Sequence, residues 1–157
     1  MTETENDRII VALYDALDSG AGDAMAMLYA PDARFKDPAF GELSGEEAGD
    51  MWRMLTSRAT DLDVELAEHS ADGDTGTANW IATYTFSTGR PVVNDIQARF
   101  RFRDGKIVDH EDSFPFHRWA RQALGPAGWV LGVFPFRLIV RRKALKDLEA
   151  FRASAER

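Results

Sequence analysis

The 157-residue chain contains no cysteine, which excludes a disulfide framework, a thiolate nucleophile and a sulfur metal site. It also lacks an excess of positive charge. Its 19 Lys and Arg stand against 26 Asp and Glu, a formal net charge of -7. That is the wrong sign for a phosphate-backbone partner, so no nucleic acid is expected. Long hydrophobic runs are missing as well. The longest, 129–136, is too short to span a bilayer and contains Pro135. The opening MTETENDR is polar and acidic, unlike a signal peptide, so a cytoplasmic protein with no membrane partner is expected. There is no internal repeat, low-complexity segment or linker. Residues 1–157 therefore read as a single domain, with 125–157 a C-terminal helical extension.

What is present is ordinary for a globular domain: 45% hydrophobic and 29% charged residues, enough chain to bury one core. Ile9, Ile10, Leu13, Ala16 and Leu17 recur at helical spacing over 6–19, with Asn6 or Asp7 as N-cap and Gly20 as the stop. Asp23 caps a shorter helix through Tyr29, ended by Pro31. A brief strand follows over 33–36, and Asp37-Pro38 with Gly41 turns the chain out of it. Ser44 and Glu47, in capping-box spacing, start a third helix to about Arg58 with Met51 and Trp52 on its inner side. From Asp61 the period becomes two, and long strands joined by short turns predict an antiparallel meander over 61–116. Helices are expected again at 117–124 and 136–153. Helices first and long strands later make an α+β fold, a curved antiparallel sheet wrapped on N-terminal helices with a ligand cavity between them.

The organising stretch is RFRFRDGKIVDHEDSFPF, 99–116. Strand alternation puts Ile96, Ala98, Phe100 and Phe102 on one face and, after the Asp104-Gly105 turn, Val108, His110, Asp112, Phe114 and Phe116 together. A face carrying Val108 and Phe114 is buried, yet it also carries an imidazole and a carboxylate, which is costly without a pocket or network to receive them. Side chains two apart on one strand face stand about 6–7 Å apart, a spacing that suits a shared water or substrate better than a direct bond.

The segments YAPDARFKDP (29–38) and TGRPV with FRFRDGKI (88–107), in this order, resemble the NTF2-like superfamily and within it the SnoaL-like and ketosteroid-isomerase-like branch, over about 7–124. The resemblance implies a cone of sheet and helices, often dimeric, hosting enzymes and non-catalytic binders alike. It places Asp37 at the position of the isomerase's general base, an enzyme that pairs an Asp base with Tyr and protonated-Asp oxyanion donors. At those donor positions this chain has Leu13, with Tyr14 about 100° around the helix, and Ala98. Steroid isomerisation in its familiar form is therefore not expected.

The expected catalytic residues are Asp37, His110 and Asp112, and the expected substrate-binding residues are Tyr14, Trp52, Trp80, Tyr84, Asn94, Ala98 and Phe114. Asp37 reads two ways, as a base or as an Asp-Pro turn residue capping its own backbone. His110 beside a carboxylate is an acid-base candidate, or else a structural pair with Asp112. No recognised metal-ligand spacing is present, and neither a metal nor another cofactor is expected. His69 and His117 read as solvent-facing, and the apolar stretch 129–136 as a lid or partner interface. The function expected is cofactor-free acid-base chemistry (isomerase, cyclase or hydratase-like) on a hydrophobic carbonyl compound, by a homodimer. The alternatives are a binding module for a small hydrophobic molecule and a scaffold with a filled cavity.

Overall fold

The computed structural model describes residues 4–127 and 136–155. Helix α1, Glu5–Asp18, starts at Thr4, whose hydroxyl oxygen accepts the Asp7 N–H at 3.1 Å. This cap lies ahead of the expected Asn6 or Asp7, because threonine there takes the extended backbone a cap requires. The stripe of Ile9, Ile10, Leu13, Tyr14 and Leu17 is buried. Helix α2 is only Gly22–Ala26. Tyr29, expected to end it, instead opens strand β1, Tyr29–Asp37. The strand tolerates Pro31 because its pairing shifts register between Tyr29 and Arg34, so the missing proline N–H leaves no gap in a regular ladder. A short strand β2, Gly41–Ser44, was not foreseen. It leads into α3, Gly45–Arg58, where the Ser44–Glu47 capping box forms in both directions.

Strands β3 (Asp63–Asp72), β4 (Thr75–Thr85), β5 (Pro91–Arg103) and β6 (Lys106–Ser113) follow. The six strands form one curved, open sheet in the order β2-β1-β6-β5-β4-β3. The expected meander holds for β3 through β6, but β1 pairs with β6 in parallel, so the sheet is mixed. A parallel neighbour needs a long crossover, and everything from β2 to β5 serves as one. Along β5, burial alternates without exception, with Val92, Asn94, Ile96, Ala98, Phe100 and Phe102 inward. Two irregularities alter other expectations. A register shift at Arg101/Phe102 leaves Ile107, not Val108, fully buried. Another at Leu66/Glu68 precedes His69, which is exposed as expected but is also paired, its Nδ1 2.7 Å from Asp7 Oδ1 on α1.

Helix α4, Phe116–Leu124, runs into a 3-10 turn, Gly125–Ala127, and the final helix α5 is Phe136–Ala155. Leu148 of α5 is 2% exposed within the core. Arg152 of the same helix donates to Asp50 on α3 at 3.0 Å and lies 3.5 Å from Glu46. Of the apolar stretch 129–136, residues 129–135 lie outside the described residues. No described helix is long and apolar enough to cross a membrane.

Candidate active site

Strand register lines up one row of residues across the concave face. Gly41 on β2 stands opposite Asp37 on β1. Lys36 pairs with Glu111, so one step further Asp37 lies beside Asp112 of β6. Asp112 stands opposite Ala98 on β5, and Ala98 opposite Ala78 on β4. Apart from the two acids, everything in this row is glycine or alanine, so the sheet is shallow along it. The neighbouring row is the reverse. His110 is flanked by Phe35 on β1 and Phe100 on β5, with ring centroids 5.0 and 4.4 Å away, while Trp52 of α3 stacks on it at 6.5 Å.

His110 is 0% exposed, and both of its ring nitrogens are bonded. The Trp52 indole N–H donates to the Tyr29 hydroxyl oxygen at 2.9 Å. An indole nitrogen can only donate, so the Tyr29 hydrogen is directed to His110 Nδ1, 2.7 Å away. Nδ1 is therefore the acceptor nitrogen, and Nε2 carries the hydrogen that it donates to Asp112 Oδ1 at 2.8 Å. The relay Trp52–Tyr29–His110–Asp112 thus sets which ring nitrogen of His110 donates and which accepts. Burial first, partly offset by the Trp52 hydrogen bond, holds the Tyr29 hydroxyl well above the usual tyrosine range, so it stays a donor. The direct His110–Asp112 bond corrects the expected gap filled by a water. The imidazole itself spans the spacing, because Tyr29 anchors its other end.

Asp37 sits at the end of this arrangement and is only half-buried. Its Oδ1 accepts the N–H groups of Ala39 and Phe40, at 2.9 and 2.5 Å, so the turn-capping role is real. Among the described residues Oδ2 takes no hydrogen bond. Burial, and less strongly the charge of Asp112, push the Asp37 carboxyl up to about 7, against the lowering effect of the two turn bonds and His110. A capping carboxylate and a group that exchanges protons near neutrality are thus one and the same residue.

Tyr14 reaches the row from α1. Its ring is 5.1 Å from Trp80 and 6.4 Å from Phe100, which brackets the Ala98/Ala78 pair between them. The Tyr14 hydroxyl and the Trp80 indole nitrogen are both buried without a hydrogen-bond partner. Burial, then the charge of Asp112, hold the Tyr14 hydroxyl well above its usual range, so it remains a donor. Two buried donors left unpaired are costly in a packed core and mark a place where an acceptor belongs.

The remaining expected residues divide. Trp52 and Ala98 join the relay and the row. Asn94, 7% exposed, stands opposite Ala82, inward but four residues from Ala98. Tyr84 is half-buried, its hydroxyl accepting the Trp119 N–H from α4 at 2.8 Å. Phe114 is half-buried and packs against the edge of the core. The strand ends at Ser113, and Phe114 also lines a groove of about 360 Å³ with the outward residues Asp95, Gln97 and Ser113. Aromatic rings crowd the concave face around His110. Tyr29 was missed because it was assigned to a helix, although it shares strand parity with Ala33 and Phe35. No group of metal-binding side chains assembles among the described residues.

Residues 10–110 match the SnoaL-like domain family. Among solved structures, a protein from Catenulispora acidiphila with a ketosteroid isomerase-like fold, in complex with trimethylamine, is 23% identical with TM-score 0.68, over 82% of this chain and 98% of that one. An LEH-like epoxide hydrolase from M. tuberculosis is 21% identical with TM-score 0.67, over 85% and 98%. The putative polyketide cyclase IdmH from Streptomyces antibioticus is 24% identical with TM-score 0.64, over 76% and 98%. Among curated proteins no sequence match was found.

Proposed function

The chain belongs to the SnoaL-like domain family, and from that premise we propose that it is a small-molecule enzyme running cofactor-free acid-base chemistry on a hydrophobic carbonyl compound. One observation carries the proposal: Asp37 presents an unbonded carboxylate oxygen on a half-buried side chain at the end of β1, with a pKa of about 7, where a general base works best at neutral pH. Fold alone does not choose the reaction, since similar structures carry names as different as cyclase and epoxide hydrolase.

Asp37 Oδ2 removes a proton from the carbon next to the carbonyl. The electron pair of that C–H bond becomes the enolate, whose oxygen the Tyr14 hydroxyl and Trp80 N–H receive. Return of the proton from Asp37 to another carbon gives isomerisation, and attack of the enolate on a second carbonyl gives ring closure. Addition of water to an activated double bond is the third outcome within reach of the same groups. Asp112, held by the His110 N–H, raises the basicity of Asp37 through its charge. His110 touches no substrate in this scheme and is a positioning residue. Trp52 supplies apolar surroundings, with Tyr84 and Asn94 as polar groups further along the sheet. Docking of α5 through Leu148 supports a single domain with 125–157 as its extension, and exposed Ile139 and Leu145 on that helix suit a homodimer, which size-exclusion chromatography tests.

The test is deuterium wash-in to 2-tetralone, an enolisable aromatic ketone, followed by NMR. The wild-type protein is expected to accelerate exchange, and Asp37→Asn to lower that acceleration at least ~100-fold, the usual scale for a general base. Equal rates in the two proteins would remove the enzyme reading. The dense ring packing around His110, 0% exposed, favours a second reading, a non-catalytic binder. A binder predicts that Asp37→Asn alters ligand affinity alone.

A further inference from the structure

Arg141 belongs to α5, outside the 10–110 segment that matches the family, yet its side chain lies on the residue opposite Asp37. A Cβ built on Gly41 would meet Arg141 Nε at 3.1 Å, Cδ at 3.2 Å and Cζ at 3.4 Å. Gly41 has φ +73, a conformation glycine adopts freely, and the guanidinium fills the space a side chain there would occupy. Directly opposed residues of antiparallel strands send their side chains to the same face, with Cβ atoms about 4.5–5.5 Å apart. Gly41 and Asp37 are such a pair, so Arg141 occupies the same face of the sheet as the Asp37 carboxyl. Even so, Arg141 makes no ion pair among the described residues, and its Nε is buried without a hydrogen-bond partner. A charged fork with an orphaned donor, on the same face as a carboxyl that does not bond it, lacks an acceptor.

We infer that Arg141 is a substrate-binding residue, reading a carboxylate on the substrate at the Asp37 end of the row. This rests on the catalytic role proposed for that row. A guanidinium offers two parallel N–H groups that match a carboxylate. An anion held there is neutralised by Arg141 before it meets the two acids. The substrate class narrows accordingly to an apolar or aromatic carbonyl compound with a terminal carboxylate, its ring over the small-residue row and its acid at the α5 end.

The test compares phenylacetate with its neutral isostere phenylacetamide, titrated into the full chain and followed by NMR shifts at Gly41 and Asp37. Expected is tighter binding of phenylacetate by the wild type, a loss of at least 10-fold in Arg141→Gln, partial recovery in Arg141→Lys, and unchanged binding of phenylacetamide throughout. Helix α5 keeps its other anchors, Leu148 and Arg152, in both variants, and their thermal unfolding is the control. Three results overturn the inference: no phenylacetate binding to the wild type, no preference over the amide, or equal loss of both probes in Arg141→Gln. The catalytic reading is judged separately. If Asp37→Asn leaves ketone exchange unchanged while Arg141→Gln still loses phenylacetate, the carboxylate subsite stands and the base does not. The converse pattern removes the subsite alone.

Discussion

His110 Nε2 lies 2.8 Å from Asp112 Oδ1, although the two side chains leave the same strand two residues apart. The bond exists because the imidazole is gripped from behind by Tyr29, itself fixed by Trp52. Asp112 is thereby held in one rotamer beside Asp37, and its charge contributes to the raised Asp37 pKa. Buried polar relays of this kind matter most when every member is satisfied, and this one is.

The relay fixes the imidazole tautomer, which can be read directly. Nitrogen-15 NMR of His110 is expected to show hydrogen on Nε2 and a bare Nδ1. Tyr29→Phe removes the shared hydroxyl and strands two buried groups. The expected cost is about 2–6 kcal/mol in urea unfolding, from roughly 1–3 kcal/mol for each of the two unsatisfied groups. A hydrogen on Nδ1, or a cost below about 0.5 kcal/mol, would contradict the relay.

Asp37 makes stability depend on pH in a defined direction. Its folded pKa, about 7, is above the ordinary aspartate value of 3.8, so between about 4 and 7 the unfolded chain binds fewer protons than the folded one. The contribution of Asp37 is fully present below about pH 4, declines as pH rises through that window, and levels off above it. At about 1.4 kcal/mol per pKa unit the difference amounts to a few kcal/mol. Asparagine keeps an oxygen for the Ala39 and Phe40 N–H groups but does not ionise. Asp37→Asn is therefore expected to be more stable than wild type at pH 8, with the gap closing by pH 4 in parallel urea titrations. A gap independent of pH would show that Asp37 is not perturbed.

Asp112→Asn retains an oxygen to accept the His110 N–H but removes the charge. It is expected to fold with a loss below about 1.5 kcal/mol, the scale of one hydrogen bond, and to lower the pKa of Asp37. His110→Ala, by contrast, opens a void among Phe35, Phe100 and Trp52, and is expected to lose about 3 kcal/mol or more, as aromatic-to-alanine core changes do. Chemical denaturation separates the two. Equal losses would mean that the pair is held by charge rather than by packing.

Helix α5 is held by burial more than by charge. Leu148→Ala is expected to cost about 2–4 kcal/mol, whereas Arg152→Ala, with its partly exposed partners Asp50, Glu46 and Glu47, is expected to cost about 1 kcal/mol or less. Thermal unfolding with and without 0.5 M salt distinguishes them, since only the arginine contribution should be screened.

Local patterns were legible in the sequence wherever short-range chemistry decides. The alternation of Ile96, Ala98, Phe100 and Phe102, the Asp104-Gly105 turn and the Ser44–Glu47 capping box all form as their spacing requires. The grouping of His110 and Asp112 on the inner face was legible for the same reason. Register across distant strands was not. Nothing near Tyr29 announces that it will join a sheet in parallel with β6, so its contact with His110 was invisible. Nor does the sequence of α5 say that Arg141 will rest on Gly41, because helix docking is settled by the whole core. The small-residue row from Gly41 to Ala78 likewise exists only once five strands are aligned.

Carbon-13 NMR titration of the Asp37 side-chain carboxyl in the wild-type protein tests the account at its base. A midpoint close to 7, falling in Asp112→Asn, is the expected result. A midpoint near 4, unchanged by that substitution, would leave Asp37 an ordinary turn cap and withdraw the acid-base chemistry built on it.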